Sequence, residues 1–224
     1  MRENEAQIWL AELDQDAATL ARLTALLDPA ERQRAARFHF DRDRDRFIAA
    51  RGFLRELLGR ELEIDPAKIT FAQSANGKPR LAPGCQTPQD LRFNVSHSSA
   101  LALYALTARR EVGVDVERIK ELPDMEGIGR LTFTSEEQKQ LAAALPEGRT
   151  ELFFRLWTRH EAIVKCTGEG IAGEGPPGFA GTVAEMAPAP GFLGAVAVER
   201  GELQLQAFKS SGRGPDDRVP RRIH

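Results

Sequence analysis

Cysteine is scarce in this chain, and long apolar runs are absent. Cys85 and Cys166 are the only cysteines among 224 residues, too few for a disulfide framework or a cysteine-rich zinc site. The longest apolar run, residues 100–108, is far shorter than the roughly 20 residues that cross a bilayer. The N-terminal stretch shows no apolar signal-peptide core. These absences exclude a membrane protein, a disulfide-stapled miniprotein and a zinc finger, and they predict a cytoplasmic protein with reduced thiols.

An excess of charge of one sign is also missing. The net charge is −2, which argues against general nucleic-acid binding. Locally, residues 32–60 hold nine arginines against four acidic residues. This stretch indicates either an anionic ligand or a solvated helix face with alternating charges, as at residues 41–46. With 42% hydrophobic and 29% charged residues, the composition is that of a globular protein with one large domain or two small ones.

Apolar spacing and turn-forming residues predict an alternation of strands and helices. Asp28 and Thr134 begin helices, because their side chains cap free backbone N–H groups. Gly59 and Gly168 each end a long helical pattern. The predicted helices are 29–38, 44–58, one that begins at 135 and 149–167. The predicted strands are 7–13, 69–72, 93–95, 100–107, 112–117 and a closing hairpin of 192–198 with 202–208, with a turn at 74–79 and a loop at 172–191.

Paired features at an offset of about 106–109 residues indicate an internal duplication. Each copy holds a short strand, a capped helix start and a long helix that ends at a glycine. The predicted fold is therefore α+β with two similar halves, residues 1–110 and 111–209, packed as a pseudo-dimer. Residues 210–224 are polar and are predicted to form a flexible tail. Chance similarity between two amphipathic helices is the alternative explanation of the repeat.

The first candidate for chemistry is the G-x-D-x-E pattern at residues 113–117. On a strand, the valines at 112, 114 and 116 face the core, and Asp115 and Glu117 share the other face, about 6–7 Å apart. A few hard oxygen ligands suit Mg²⁺, which completes its shell with water and phosphate oxygens. Gly113 lies on the same face and leaves room for a bulky anion. The alternative is an exposed strand edge with two solvated carboxylates.

Two further patterns contain groups suited to phosphate. Trp157, Glu161 and Lys165 recur every four residues on one side of a helix, so Glu161 can add a third carboxylate and Lys165 a cation. An ordinary surface Glu–Lys pair is the alternative. In the FNVSHS stretch, Ser96 and His97 suit a phosphate cradle, although a lone histidine is more often structural. No G-x-S-x-G elbow is present, and the turn at 77–79 supplies only one cation.

The order of these patterns is more specific than any one of them. FNVSHS, then GVDVE, then FTSEE, then LWTRHEAIVKCTGEGI resembles the 4′-phosphopantetheinyl transferases, and is most similar to their surfactin-synthetase-activating (Sfp) type. The resemblance covers roughly residues 7–208 and includes the stretches at 34–38, 50–55 and 77–79. It implies a monomer of two similar α+β halves about a pseudo-twofold axis, with the active site between them. It also implies transfer of phosphopantetheine from coenzyme A to acyl or peptidyl carrier proteins.

The resemblance implies a role for each matching residue. The implied Mg²⁺ ligands are Asp115, Glu117 and Glu161, and the implied catalytic residues are Glu161, Lys165 and His97. The implied coenzyme A contacts are Arg51, Lys78, Pro79, Val95, Ser96, His97, Asp115 and Lys165. Carrier proteins are expected to dock on the segment after Glu117, where we expect Met125 and Ile128 to be exposed and Leu131 and Phe133 to be core.

Two departures from the family pattern stand out. His160 occupies a position that is often lysine in the family, and a neutral imidazole there lowers the local positive charge. The segment after Gly170 is also shorter than is usual. Two alternative functions are a non-catalytic module that binds coenzyme A or a carrier protein, and an unrelated Mg²⁺-dependent phosphoester hydrolase. The first would lack a carboxylate or the lysine, and the second would need more clustered acids or histidines than four histidines supply.

Overall fold

The computed structural model describes residues 5–73, 77–85, 90–168, 179–200, 204–209 and 219–220. Within these ranges the chain forms helices and strands in the following order: β1 (Glu5–Glu12), α1 (Ala17–Leu26), α2 (Pro29–Ala35), α3 (Asp41–Leu62), β2 (Phe71–Gln73), β3 (Pro79–Leu81), β4 (Leu91–Ser98), β5 (Leu101–Ala108), β6 (Val112–Arg118), α4 (Met125–Thr132), α5 (Ser135–Ala143), α6 (Pro146–Thr167), β7 (Gly181–Met186), β8 (Phe192–Glu199), β9 (Gln204–Lys209) and β10 (Val219–Pro220). Two short 3₁₀ helices, Pro66–Lys68 and Pro83–Cys85, lie in the first half.

The strands form two main sheets and one small ribbon. The larger sheet has the order β10-β9-β1-β5-β4, the second has the order β6-β8-β7, and β2 pairs with β3. All pairings are antiparallel except that of β1 with β9. Helices packed on largely antiparallel sheets make the fold α+β, as predicted.

The two halves repeat one topology. In each, a strand is followed by three helices and then two strands of the same sheet, with the β2–β3 ribbon inserted before those two strands in the first half; the pairing order is first, last, middle: β1-β5-β4 and β6-β8-β7. In each, the second helix begins with a capping box, Asp28 with Glu31 and Thr134 with Glu137, and the third helix has 22 residues. Chance similarity between two amphipathic helices would not also reproduce the strand order and the capping box at the second helix. The structure therefore supports the duplication inferred from the repeat.

The core lies on both faces of the larger sheet. One face packs under α1 and α3 through residues such as Leu23, Leu54 and Tyr104, each at most 1% exposed. The other face packs against the second sheet, where Val112, Val114 and Val116 are fully buried. Burial of each valine contributes about 1.5–3 kcal/mol. The predicted inward face of the 112–117 strand is therefore confirmed.

The ends of the two long helices follow different rules. Helix α6 begins with Pro146 in its first turn and ends at Gly168, whose φ of 75° is the left-handed conformation that glycine adopts easily. Helix α3 continues past Gly59 to Leu62 and is capped by Glu63, so Gly59 is not its end. A Cβ at position 59 would lie 2.7 Å from Pro66 Cγ. Gly59 is thus required for close packing of the following loop.

Three other predictions of local structure are corrected. The 192–198 and 202–208 segments do not form a hairpin, because β8 pairs with β6 and β7 while β9 pairs with β1 in the larger sheet. The loop predicted at 172–191 contains β7, and its residues 172–178 lie outside the described ranges. Helices α1 and α4 were not predicted. Residues 74–76 of the predicted turn, and 210–218 and 221–224 of the predicted tail, are also outside the described ranges.

Both cysteines are buried and unpaired. Cys166 belongs to a small apolar cluster between α6 and the second sheet, which confirms its predicted place in the core. In the part of the chain that the structure describes, no helix is long and apolar enough to span a membrane.

Candidate active site

The two main sheets meet where the edge strand β4 runs beside the edge strand β6. Neither edge pairs with the other through its backbone. Instead, alternate side chains of β4 accept hydrogen bonds from alternate backbone N–H groups of β6. These are Val114 N to Asn94 Oδ1 at 2.9 Å, Val116 N to Ser96 Oγ at 3.4 Å and Arg118 N to Ser98 Oγ at 3.1 Å. We call this row of contacts the β4–β6 seam; it joins the first half of the chain to the second.

Asp115 is the buried centre of the seam, with only 2% of its surface exposed. Its Oδ1 accepts a hydrogen bond of 2.8 Å from Ser96 Oγ and lies 2.6 Å from the ammonium of Lys165. The same ammonium lies 3.1 Å from Ser96 Oγ. The second carboxylate oxygen of Asp115, Oδ2, is buried and has no hydrogen-bond partner among the described residues. Residues from β4, β6 and α6 thus meet at one carboxylate.

Gly113 explains how α6 reaches this carboxylate. A Cβ at position 113 would lie 2.0 Å from the carbonyl oxygen of Ala162 and 2.4 Å from the backbone nitrogen of Cys166. No side chain larger than hydrogen fits there, so the helix lies directly on the strand. The expectation that an anion lies against Gly113 is therefore wrong: the backbone of α6 fills that space, which brings Lys165 to Asp115.

Glu117 and Glu161 complete the group of charges. Glu117 is half-buried and accepts a hydrogen bond of 2.7 Å from Ser98 Oγ. Burial raises the pKa of Glu117, and the charge of Asp115 adds to the rise. Burial also raises the pKa of Glu161; the ammonium of Lys165 opposes the rise, and the charges of Asp115 and Glu117 add to it. The carboxylates of Glu117 and Glu161 are each repelled by the charge of Asp115, and a nearby cation favours their ionised forms.

Comparison with known proteins assigns the chain to a family. A family model described as "4′-phosphopantetheinyl transferase, N-terminal" matches residues 14–109, and one described as "4′-phosphopantetheinyl transferase superfamily" matches residues 111–192. The chain is 38% identical over 169 residues to 4′-phosphopantetheinyl transferase HetI of Nostoc sp., covering 75% of this chain and 71% of that protein. The chain belongs to the 4′-phosphopantetheinyl transferase family.

Other relatives agree with this assignment. The chain is 35% identical over 169 residues to a putative 4′-phosphopantetheinyl transferase of Synechocystis sp., covering 75% of this chain and 67% of that protein. It is 27% identical over 151 residues to 4′-phosphopantetheinyl transferase Sfp of Bacillus subtilis, covering 67% and 64% of the two chains. The two family models meet between β5 and β6, where the topological repeat also begins again.

The three carboxylates expected to bind metal in this family are close but do not form a ready-made metal cage. Among the described residues, no group of three or more His, Cys, Asp or Glu side chains has the spacing of a metal site. Lys165 instead supplies the positive charge at Asp115. The buried, unpartnered Oδ2 of Asp115 and the raised pKa values of Glu117 and Glu161 nevertheless fit a hard divalent cation with oxygen ligands.

Ser96 and His97 lie on opposite faces of β4, because successive side chains of a strand alternate. Ser96 is buried in the seam, whereas His97 is exposed. Val95 shares the face of His97 and packs, half-buried, against the core beneath α3. Ser96 and His97 therefore point to opposite sides of β4, and their contacts with coenzyme A phosphates stay predictions.

Lys78 and Pro79, at the beginning of β3, line a pocket of about 190 Å³. The ammonium of Lys78 donates to Glu111 Oε2 at 2.8 Å and to the carbonyl of Val112 at 2.9 Å. Val112 precedes Asp115 by three residues, or roughly 10 Å along a strand. The rest of the pocket is lined by Arg80, Leu81, Asp90, Leu91, Arg92, Phe93 and Glu111. Three cationic side chains thus line a pocket that adjoins the beginning of β6, the strand that carries Asp115 and Glu117.

Arg51 is held in an ion-pair cluster on α3. Its guanidinium donates to Glu31 Oε1 and stacks over the ring of Phe71, 4.4 Å from the centroid. Arg55, which is fully buried, also binds Glu31 and donates to Asp28 and two backbone carbonyls. Phe71 contacts Phe93, and Phe93 lines the pocket beside Lys78. Arg51 is therefore connected to that pocket by two successive ring contacts. Two arginines of the basic stretch at residues 32–60 therefore form ion pairs within the first half of the chain, and the stretch is not simply a solvated helix face.

His160 lies in the core, and three of the expected docking residues are placed differently from the predictions. His160 is buried beside Phe133 on the core side of α6, and burial lowers its pKa, which favours the neutral imidazole. Met125 and Ile128 are half-buried against the apolar cluster beneath α6 rather than exposed. Leu131, expected in the core, is 78% exposed, whereas Phe133 is buried as expected. Met125, Ile128 and Leu131 lie on α4, a helix that was not predicted. Its period of about 3.6 residues turns Met125 and Ile128 toward the core and Leu131 toward the solvent.

Asn94 and Ser98 are seam positions that the sequence motifs do not reveal. Both lie on the face of β4 that builds the seam. Their signal is present in the sequence: polar residues at 94, 96 and 98 have the period of two that marks one face of a strand. The polar run at residues 96–99 obscures that signal, because it is typical of a break between two strands, whereas β4 continues to Ser98.

Proposed function

We propose that this chain transfers the 4′-phosphopantetheine arm of coenzyme A to a serine of an apo acyl or peptidyl carrier protein and releases 3′,5′-ADP. The observation that carries the proposal is the convergence of Lys165 and Ser96 on the buried carboxylate of Asp115, with Glu117 and Glu161 within electrostatic range. Family membership and the names of the relatives support the same reaction.

The metal in this proposal is Mg²⁺, held by Asp115, Glu117 and Glu161. The resident cation would neutralise charge on the pyrophosphate of coenzyme A and on the leaving 3′,5′-ADP. The carboxylates suit it because Asp115 keeps one oxygen unpartnered and buried, and because burial and mutual repulsion disfavour three bare negative charges. Mg²⁺ takes few protein oxygens and completes its shell with water and phosphate.

Two side chains of α6 would contact the reacting groups, one as a base and one as a cation. Glu161 is half-buried with a raised pKa, which makes its carboxylate a stronger base for the proton of the acceptor serine, directly or through one water. Lys165 lies one helical turn further on and would bind the phosphate oxygens as negative charge develops on them. The serine oxygen attacks the β-phosphorus, and the bond to the 3′,5′-ADP oxygen breaks. No covalent enzyme intermediate is required.

Coenzyme A would lie along the seam, with its adenosine end in the pocket beside Lys78. The cations of Lys78, Arg80 and Arg92 suit its phosphates. Pro79 would contact the adenine end, Ser96 would bind a phosphate at the seam, and Val95 and His97 would line the other face of β4. Arg51 keeps its proposed role at the adenosine end, which requires exchange of part of its contact with Glu31 for phosphate.

Carrier proteins would dock on α4, which packs against α6. Met125 and Ile128 support this helix from below, and the exposed Leu131 and Arg130 offer an apolar anchor with a cationic neighbour. A second pocket of about 200 Å³ opens between α4 and α5, lined by Glu126, Gly129, Arg130, Gln138, Leu141 and Ala142. An acidic, partly apolar helix complements such a surface.

The test is to mix the purified protein with coenzyme A, Mg²⁺ and an apo carrier protein. A gain in carrier mass equal to one phosphopantetheine arm, together with free 3′,5′-ADP, is the expected result. A variant with Asp115→Ala is the matched control. Binding of coenzyme A without a mass gain would indicate the non-catalytic module, and phosphate release without carrier modification would indicate the hydrolase. The monomeric state and the cytoplasmic location stay predictions, and size-exclusion chromatography tests the first.

A further inference from the structure

We propose that Ser98 is a positioning residue that holds the carboxylate of Glu117 toward Asp115. The proposal rests on the proposed function, because it concerns the metal-binding group of that site. The sequence motifs assign no role to Ser98 and single out its neighbours Ser96 and His97 instead. The seam, however, places Ser98 between the backbone of β6 and a carboxylate of the site.

The direction of the hydrogen bonds at Ser98 is determined by its neighbours. A serine hydroxyl has one proton to donate and two lone pairs to accept with. The N–H of Arg118 donates to Ser98 Oγ at 3.1 Å, which engages one lone pair. The hydroxyl proton is then free for Glu117 Oε2, which lies 2.7 Å away and has only acceptor capacity when ionised. Ser98 is therefore the donor to Glu117.

The same arrangement recurs two residues earlier. Ser96 Oγ accepts from the N–H of Val116 at 3.4 Å and donates to Asp115 Oδ1 at 2.8 Å. In both cases the residue whose carboxylate accepts the hydrogen bond from the serine hydroxyl comes directly before the residue whose backbone N–H donates to that hydroxyl oxygen. Because strands have a period of two, one row of hydroxyls on β4 meets one row of carboxylates on β6. This repetition shows that the contact at Ser98 follows from the register of the two strands.

The third member of the row lacks a carboxylate partner. The amide oxygen of Asn94 accepts from the N–H of Val114 at 2.9 Å, and the preceding residue of β6 is Gly113. Here the side chain only joins the two strands. The row therefore separates two roles: all three side chains join β4 to β6, and only the two serines also orient acidic groups.

Orientation matters more at Glu117 than at Asp115. Asp115 is buried and bound by both Ser96 and Lys165. Glu117 is half-buried at the edge of the site, where the like charge of Asp115 repels its carboxylate and the ammonium groups of Lys165 and, less strongly, Lys120 attract it. The bond to Ser98 opposes the repulsion from Asp115. Without the hydroxyl, we expect the Glu117 carboxylate to turn away from Asp115, which separates two of the metal ligands.

The experiment compares three substitutions at position 98 in the full chain. Ser98→Thr keeps the hydroxyl, Ser98→Val has nearly the same shape as threonine without it, and Ser98→Ala is the smallest hydroxyl-free variant. Mn²⁺, a paramagnetic stand-in for Mg²⁺, is titrated with each protein, and free Mn²⁺ is followed by electron paramagnetic resonance with no coenzyme A or carrier present. Thermal unfolding of each variant is measured in parallel.

We expect Ser98→Val and Ser98→Ala to bind Mn²⁺ about 10–100-fold more weakly than the wild type, as is typical when a group that orients a metal ligand is lost. Ser98→Thr should restore binding to within a few-fold. In turnover assays, the Mg²⁺ concentration for half-maximal rate should rise in the two hydroxyl-free variants, while KM for coenzyme A changes little.

Three results would overturn the positioning role. Equal Mn²⁺ affinity in the wild type, Ser98→Val and Ser98→Ala would leave Ser98 as a link between sheets and nothing more, even if the unfolding temperature falls. Weak binding in Ser98→Thr as well as Ser98→Val would mean that bulk, not the hydroxyl, matters. If the wild type itself binds no Mn²⁺ and ignores chelators during turnover, the metal part of the proposed function fails, and the role of Ser98 fails with it.

Discussion

Ser96 in the first half of the chain donates a hydrogen bond of 2.8 Å to the buried Asp115 in the second half. The contact joins two sheets that share no backbone pairing at this edge. It also places the carboxylate within 2.6 Å of Lys165. Because a single atom, Asp115 Oδ1, receives both contacts, the junction of the two halves and the charged centre of the site are the same place.

The carboxylates of β6 are the first target for mutation. We expect Asp115→Ala or Glu117→Ala to lower the rate of carrier modification at least about 100-fold, because the proposed Mg²⁺ loses a ligand while the charge of the pyrophosphate remains to be neutralised. Calorimetric titration with coenzyme A, with and without Mg²⁺, should show that the metal strengthens binding to the wild type but not to the variants. Wild-type turnover that is indifferent to a chelator would contradict the metal assignment.

The charged pair on α6 should affect chemistry more than binding. Glu161→Gln keeps the shape but removes a base and a negative charge, so kcat should fall more than coenzyme A affinity. Lys165→Ala should cost about 2–4 kcal/mol of transition-state stabilisation, as for one donor of a charge-stabilising site. Glu151→Gln, on an exposed turn of the same helix, is the control and should behave as the wild type. Near-normal rates in both site variants would exclude α6 from the reaction.

Partner recognition can be tested at Leu131, which is 78% exposed and therefore tolerates a polar residue. Leu131→Asp should raise KM for an apo carrier protein about tenfold, because an apolar anchor is lost and a negative charge meets an acidic helix. Coenzyme A affinity should not change. Leu145→Asp, at another leucine that is 74% exposed, is the matched control.

Met125→Asp and Ile128→Asp should also weaken use of the carrier. Their half-buried positions mean that unfolding must be monitored alongside KM. A parallel change in carrier KM and coenzyme A affinity, or no change in either for all three variants, would place docking elsewhere.

Cys166 should be inert in the native protein. Burial raises the pKa of its thiol to about 11, so at pH 8 only about one thiol in a thousand is ionised. The thiolate population grows as pH rises toward 11, and reactivity should follow it. Ellman's reagent should therefore modify native Cys166 very slowly at pH 8 and quickly in denaturant, with Cys166→Ala identifying the signal. Rapid native modification would contradict the assignment of Cys166 to the core.

Much of the fold is predictable because its signals are local. The capping residues Asp28 and Thr134 mark the beginnings of two helices, and Gly168 ends a third in the left-handed conformation. The alternation of residues 112–117 is enough to separate the buried valines from Asp115 and Glu117. Each of these features depends on a few neighbouring residues, whose chemistry is the same wherever the segment lies in the molecule.

Other features depend on distant segments and cannot be predicted locally. The pattern of β9 is typical of the second strand of a hairpin with β8. Instead, β9 pairs in parallel with β1 in the larger sheet. Gly59 has the sequence pattern of a helix end, but it lies inside α3, and the loop that follows the helix packs against it. Gly113 suggests room for an anion, and the space is taken by α6.

The sequence by itself determined the chemistry available to this protein: three carboxylates, one lysine and a row of hydroxyls, each placed by local periodicity on a face of its own strand or helix. Only the tertiary structure decided which faces meet. The close approach of α6 over Gly113, and the seam between β4 and β6, bring Lys165 and Ser96 to Asp115 across separations of 50 and 19 residues. Such contacts depend on how whole sheets and helices pack, and packing is set by the sum of many distant apolar contacts rather than by any motif.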